Sequence, residues 1–148
     1  MKTESTDEKL IREIDLFEED IANCFNQGLI RSPVHLDNGN ISSLVKIFHN
    51  VKENDWVCCT WRAHAKCLLH KVEPARLKAD ILAGKSIALN YKDRKIVSSA
   101  IVTGILPIAL GLALSNKLSG LPDRVWCFLG EQTAETGTFH ECYNYSMA

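Results

Sequence analysis

The sequence predicts an α/β fold, a parallel sheet with helices on both faces. Three observations carry this expectation. Short, wholly apolar runs at 56–59 (WVCC) and 125–129 (VWCFL) read as strands buried on both sides. Stretches with apolar residues at helical spacing stand before, between and after them. The run 125–129 stops at Gly130, the acid Glu131 follows at once, and a helical stretch begins. A strand, a Gly-acid turn and a helix is how α/β folds hold a phosphate or a metal at the carboxyl end of a strand.

Ser5 and Glu8 have capping-box spacing, with Asp7 as an acid in the first turn. Leu10, Ile14, Phe17, Ile21 and Phe25 then recur at three- and four-residue steps, which predicts an amphipathic helix stopped by Gly28. A loop with Pro33 and Gly39 follows, then a second helix with Ile41, Leu44, Val45 and Phe48 on one face, broken at 53–55. After the strand 56–59, the segment TWRAHAK leads into another helix. Pro74 opens a further helix at its favoured first position and Gly84 closes it. Residues 85–99 read mostly as loop. The apolar run 101–114, interrupted by Gly104, Pro107 and Gly111, reads as a buried helix, 118–123 as a turn, and the chain finishes with the strand and helix described above. No internal repeat, linker or low-complexity segment is visible.

At 148 residues, 46% hydrophobic and 24% charged, the composition is that of one ordinary globular unit. A net charge of −1 gives no reason to expect nucleic acid or an anionic membrane as partner. The run 101–114 is shorter than the roughly 18 to 20 residues a bilayer span needs. The six cysteines sit mostly in apolar runs, without CxxC spacing, and the polar, acidic N-terminus is unlike a signal or import sequence. Reduced core thiols in a cytoplasmic protein are the expectation. Covering three tryptophans, the thiols and a very apolar helix with a chain of this size also predicts partner subunits.

Arg62 and His64, just past the first strand, are residues able to hold a phosphate. Either also fits an ordinary helix start, and His35, His140 and Glu141 read as structural or solvated groups. No G-x-G-x-x-G, P-loop or G-x-S-x-G motif is present, so dinucleotide, P-loop and nucleophile-elbow chemistry have no support.

The ordered set of motifs is more specific than any one of them. It runs from a Pro-His-Leu type loop (Pro33, His35, Leu36) through Thr60-Trp61-Arg62-Ala63-His64 and Gly84-Lys85-Ser86-Ile87. It continues with Ala100-Ile101-Val102-Thr103-Gly104 and Pro107, then Gly130-Glu131 with Gly137, and Glu141 with Asn144. From about 28 to 148 the chain resembles the N-terminal portion of the alpha subunit of thiamine diphosphate-dependent 2-oxo acid dehydrogenases.

The resemblance implies an incomplete thiamine-diphosphate-binding fold, with 1–28 an N-terminal helix and 29–148 a partial, diphosphate-side domain. It implies that Trp61 and Arg62 lie along the cofactor, Arg62 on its diphosphate, and that Ala100 and Val102 touch the aminopyrimidine through backbone groups; His64, able to donate to a phosphate, joins them as a cofactor-binding candidate. It implies that Gly130, Glu131, Gln132 and Thr133 form the phosphate and Mg²⁺ turn, with Glu131 as metal ligand. Trp61 stands where the family has Tyr, Ala100 where it has Gly, and Gly130-Glu131-Gln132 where it has Gly-Asp-Gly. The family's Asn metal ligand, its phosphate-contacting histidine loop and its remaining strands lie further on than residue 148. The activity implied is oxidative decarboxylation of a 2-oxo acid (pyruvate, a branched-chain 2-oxo acid) or use of acetoin, with acyl transfer to lipoamide. A beta subunit is implied as partner in a hetero-oligomer. Two readings stay open: part of such an enzyme, or a truncated or degenerate relative that is non-catalytic and acts as an interaction module.

Overall fold

The structure is a computed structural model that describes residues 5–37 and 39–148. Helix α1 (Thr6–Asn26) begins with the predicted capping box: Ser5 Oγ accepts the Glu8 N–H at 3.2 Å, and Glu8 Oε2 accepts the Ser5 N–H at 2.7 Å. It ends ahead of Gly28, which takes the left-handed conformation at φ 74°. Ile14, Ile21 and Cys24 are buried along it, together with one acid, Glu18. Phe25, placed on the apolar face by its spacing, is instead 47% exposed, because Cys24 takes the inward position. Helix α2 (Ile41–Phe48) buries Ile41, Leu44 and Val45 as its spacing predicts.

Strand β1 (Trp56–Cys59) leads to α3 (His64–Leu69) and α4 (Pro74–Leu82), the latter opened by its proline. The segment 85–99 is not mostly loop. It contains β2 (Asn90–Tyr91), a single 3-10 turn (Lys92–Arg94) and β3 (Ile96–Ser98), joined through Lys95 at φ 52°. These strands are two and three residues long, too short for a periodic signal, and Tyr91 and Ile96 commit to the sheet by burial in the shared core. Helix α5 (Ile105–Leu118) starts later than the apolar run, because 101–104 form a turn. Strand β4 (Val125–Phe128), the short helix α6 (Glu131–Ala134) and α7 (Gly137–Met147) complete the described chain.

The sheet order is β2-β3-β1-β4. β1 pairs in parallel with β3 and with β4, while β2 runs antiparallel to β3, so the sheet is mixed rather than wholly parallel. The in-register pairs explain why these strands are apolar throughout. Cys58, Val97 and Cys127 share one face and pack under Ile105 and Ala109 of α5. Val57, Cys59 and Ile96 point the other way, into a core built with Ile21, Cys67, Leu77 and Ile81 of α1, α3 and α4. Both faces are therefore covered by helices. The route from β1 to β3 and the route from β3 to β4 cross the sheet in opposite directions. Such a reversal opens a crevice at the carboxyl ends of the strands. All six cysteines are free thiols, four of them buried. No described helix is long and apolar enough to cross a membrane.

Candidate functional site

A cleft of about 220 Å³ occupies that crevice. Three turns line it: Thr60, Trp61 and Arg62 after β1, Ile101 and Val102 before α5, and Gly130, Glu131, Gln132 and Thr133 after β4. Seven of the nine residues singled out in the sequence therefore converge on one cavity: Trp61, Arg62, Val102, Gly130, Glu131, Gln132 and Thr133.

Trp61 ties two of the turns together. Its indole N–H donates to the Ala100 carbonyl at 2.6 Å, and its ring stacks on His35 with centroids 5.2 Å apart. Ala100 does not itself line the cleft; its carbonyl serves as the anchor for Trp61. The turn before α5 is tightly built. Ser99 Oγ accepts the Ile101 N–H at 3.2 Å, and Thr103 holds φ 68°, a costly conformation for a β-branched residue. Gly104 is closely hemmed in there: a Cβ would lie 3.1 Å from Ser99 Oγ and 3.2 Å from the Ile101 carbonyl, so the turn would have to give by a few tenths of an ångström to admit one.

His64 is not a cleft residue. It is fully buried at the start of α3, with Nε2 at 2.9 Å from Ser86 Oγ. Burial, followed by the nearby Lys66 charge, pushes its pKa down to about 4, so the imidazole is neutral at physiological pH. The ring faces Ser86 in the core and does not line the cleft.

Arg62 is exposed on the cleft wall. Its Nε donates to the Leu36 carbonyl at 3.0 Å, and its two terminal nitrogens have no partner among the described residues. Across the cleft, Glu131 is exposed and its carboxylate makes no hydrogen bond with the described residues. Gly130 has an ordinary φ of −81°, and a Cβ added to it would meet nothing within 4 Å. The fold itself thus places no demand for glycine there, and the space belongs to the cleft. Thr133 is buried, with its N–H on the Gly130 carbonyl at 3.0 Å, which closes the turn after β4.

The donor set fits a phosphorylated ligand: a fork of guanidinium N–H groups, open space over a glycine, and a carboxylate opposite. Among the described residues no three His, Cys, Asp or Glu side chains cluster to hold a metal ion. One carboxylate is enough where phosphate oxygens and water complete a Mg²⁺ shell, so Glu131 fits that arrangement.

One feature escaped the sequence reading. Beside the cleft, Lys66 and Asp37 form a buried ion pair at 2.7 Å, and the Asp37 N–H donates to both Glu18 carboxylate oxygens at 2.9 and 3.1 Å. Its only trace in the sequence is Glu18 itself, an acid inside the apolar stripe between Ile14 and Ile21.

Residues 10–148 match the family model described as "Dehydrogenase E1 component". The chain is 28% identical over 142 residues to the alpha subunit of acetoin:2,6-dichlorophenolindophenol oxidoreductase of Bacillus subtilis (strain 168), covering 89% of this chain and 43% of that subunit. It is 25% identical over 138 residues to the pyruvate dehydrogenase E1 component subunit alpha of Rickettsia prowazekii (strain Madrid E), covering 86% of this chain and 42% of that one. The corresponding Porphyra purpurea subunit is 24% identical over 148 residues, with coverage of 88% and 43%. The chain thus spans less than half the length of these relatives. With a matching model over nearly the whole chain and the motif residues gathered at the sheet's carboxyl edge, this chain belongs to the dehydrogenase E1 component family.

Proposed function

We propose that this chain forms the diphosphate-holding part of a thiamine diphosphate-dependent 2-oxo acid dehydrogenase alpha subunit. The observation that carries the reading is the single cleft in which Trp61, Arg62, Val102 and Gly130 to Thr133 meet at the carboxyl ends of β1 and β4. Arg62 binds the diphosphate through its terminal N–H groups. Gly130 leaves room for the phosphates, and Glu131 would be the residue to hold Mg²⁺. Trp61, fixed on the Ala100 carbonyl, and Val102 set the wall along which the rest of the cofactor is oriented. When bound, thiamine diphosphate would supply the electron sink that decarboxylation of a 2-oxo acid needs, and the residues above would hold and orient it. In the complete enzyme the acyl product would go to lipoamide on a further component, and a beta subunit would supply the acid that activates the cofactor. The working assembly is a hetero-oligomer, and its free thiols suit the reducing cytoplasm.

Glu131 and Gln132, in place of the family's Asp and Gly, favour a second reading, a relative that binds no cofactor and serves as an interaction module. Calorimetric titration of the full chain with thiamine diphosphate, with and without Mg²⁺, separates the two. Magnesium-dependent binding is the expected result. No heat of binding at millimolar cofactor in the presence of Mg²⁺ would overturn the first reading in favour of the second.

A further inference from the structure

We propose that Lys66 and Asp37 are positioning residues for Arg62, holding its guanidinium ready for a diphosphate before the ligand arrives. The inference rests on Arg62 being a phosphate ligand.

The contacts close a ring. Lys66 Nζ donates to Asp37 Oδ1 at 2.7 Å and to the Arg62 backbone carbonyl at 2.8 Å. Arg62 Nε donates to the carbonyl of Leu36, the residue before Asp37, at 3.0 Å. The loop carrying Leu36 and Asp37 and the turn carrying Arg62 are therefore locked at two points. Glu18 pins the loop from beneath by accepting the Asp37 N–H with both carboxylate oxygens. The Lys66 ammonium also lies 5.7 Å from the centroid of the Phe128 ring, at the end of the strand that leads to Gly130 and Glu131.

Energetics point to geometry rather than to stability as the use of this pair. Lys66 and Asp37 have side chains only 8% and 3% exposed, so both charges have lost their water. Asp37 Oδ2 is buried and has no hydrogen-bond partner among the described residues, and a buried ion pair recovers little net stability once its desolvation is counted. A well-packed apolar pair would hold the loop at less cost. What an apolar pair cannot do is grip the Arg62 carbonyl while fixing the loop whose own carbonyl holds the Arg62 side chain. That grip directs Nε away and leaves the terminal fork for the ligand. A flexible side chain immobilised in advance loses less entropy on binding.

The test is a double-mutant cycle on the full chain with inorganic pyrophosphate and Mg²⁺ as probe. The paired change Lys66→Met with Asp37→Asn removes both charges together and leaves neither buried alone. It is expected to weaken pyrophosphate binding by about three- to tenfold. In an Arg62→Ala background the same pair is expected to change affinity by less than about twofold. An equal loss in both backgrounds would mean a merely structural role and would overturn the proposal. The Arg62 Nε–H resonance gives a readout that needs no ligand: protected from solvent exchange in the parent, exposed in the paired variant. Should the parent bind no pyrophosphate, the reading of the cleft falls. The resonance still decides the positioning role, which is refuted if protection survives the paired change.

Discussion

The indole N–H of Trp126 donates to the carboxylate of Asp55 at 2.9 Å, joining the residue just ahead of β1 to the second residue of β4. The same carboxylate accepts the N–H groups of Lys52 at 3.0 Å and Arg124 at 2.8 Å. Burial opposes its ionisation, but these N–H donors outweigh burial and hold its pKa below the ordinary carboxylate value. A depressed folded pKa contributes stability that is present above the unfolded value and lost as pH falls through the folded one. Asp55→Asn is expected to cost about 2 kcal/mol near neutral pH and to flatten the acid limb below about pH 4. Urea unfolding across that range checks it; parallel acid limbs for the two proteins would refute it.

His64 gives a pH dependence at a higher window. Unfolded, the imidazole takes its proton near 6.5, and folded only near about 4, because burial and then the Lys66 charge disfavour the cation. Stability is fully present above 6.5 and falls as pH drops through the interval to 4. The loss is up to about 3 kcal/mol. His64→Gln is expected to remove this slope. Thermal melts at a series of pH values across the interval decide, and equal slopes for parent and variant count against the assignment.

Thr103 stores strain beside the cleft. Its φ of 68° belongs to glycine rather than to a β-branched residue. Thr103→Gly is expected to release strain of about 1 to 3 kcal/mol. The added freedom of the unfolded chain offsets about 0.5 to 1 kcal/mol of that gain. The net gain of about 0 to 2.5 kcal/mol raises Tm by about 2 to 4 °C per kcal/mol for a chain of this size. Differential scanning calorimetry reads it directly, and a lower Tm for the variant would sink the idea.

Among the described residues Glu131 is the one carboxylate that lines the cleft. Glu131→Gln is expected to weaken magnesium-supported binding of thiamine diphosphate by about tenfold or more, while Glu131→Asp retains it. Titrations with and without Mg²⁺ compare the three proteins. Equal affinities throughout would remove Glu131 from the metal site.

Much of this architecture was legible in the residues, and the gaps have physical causes. The capping box at Ser5 and Glu8, the apolar spacing of α2 and the apolar strand β1 are local signals that the structure carries as read. Strand β4 forms where its apolar run stands but lies at the sheet edge with all four residues only half-buried, because nothing among the described residues pairs with its outer side. The strands β2 and β3 were not legible, since two or three residues hold no period and their pairing is decided by tertiary contact. The cleft residues could be singled out because three turns carry recognisable chemistry. The burial of His64 was not legible, since sequence shows what imidazole can do and not which way α3 turns it. The ion pair of Lys66 with Asp37 joins positions 29 residues apart, a separation at which no pattern points from one to the other.

The three tryptophans fall at opposite ends of the same sheet. Trp56 and Trp126 stand where β1 and β4 enter it, the latter held by Asp55, while Trp61 stands past the exit of β1, stacked on His35 at the mouth of the cleft. The molecule therefore carries two intrinsic fluorophore environments with separate assignments. Quenching or a shift in emission from Trp61 follows occupancy of the cleft, whereas Trp56 and Trp126 follow loss of the sheet. An unlabelled sample can report ligand entry and global unfolding as distinct optical signals.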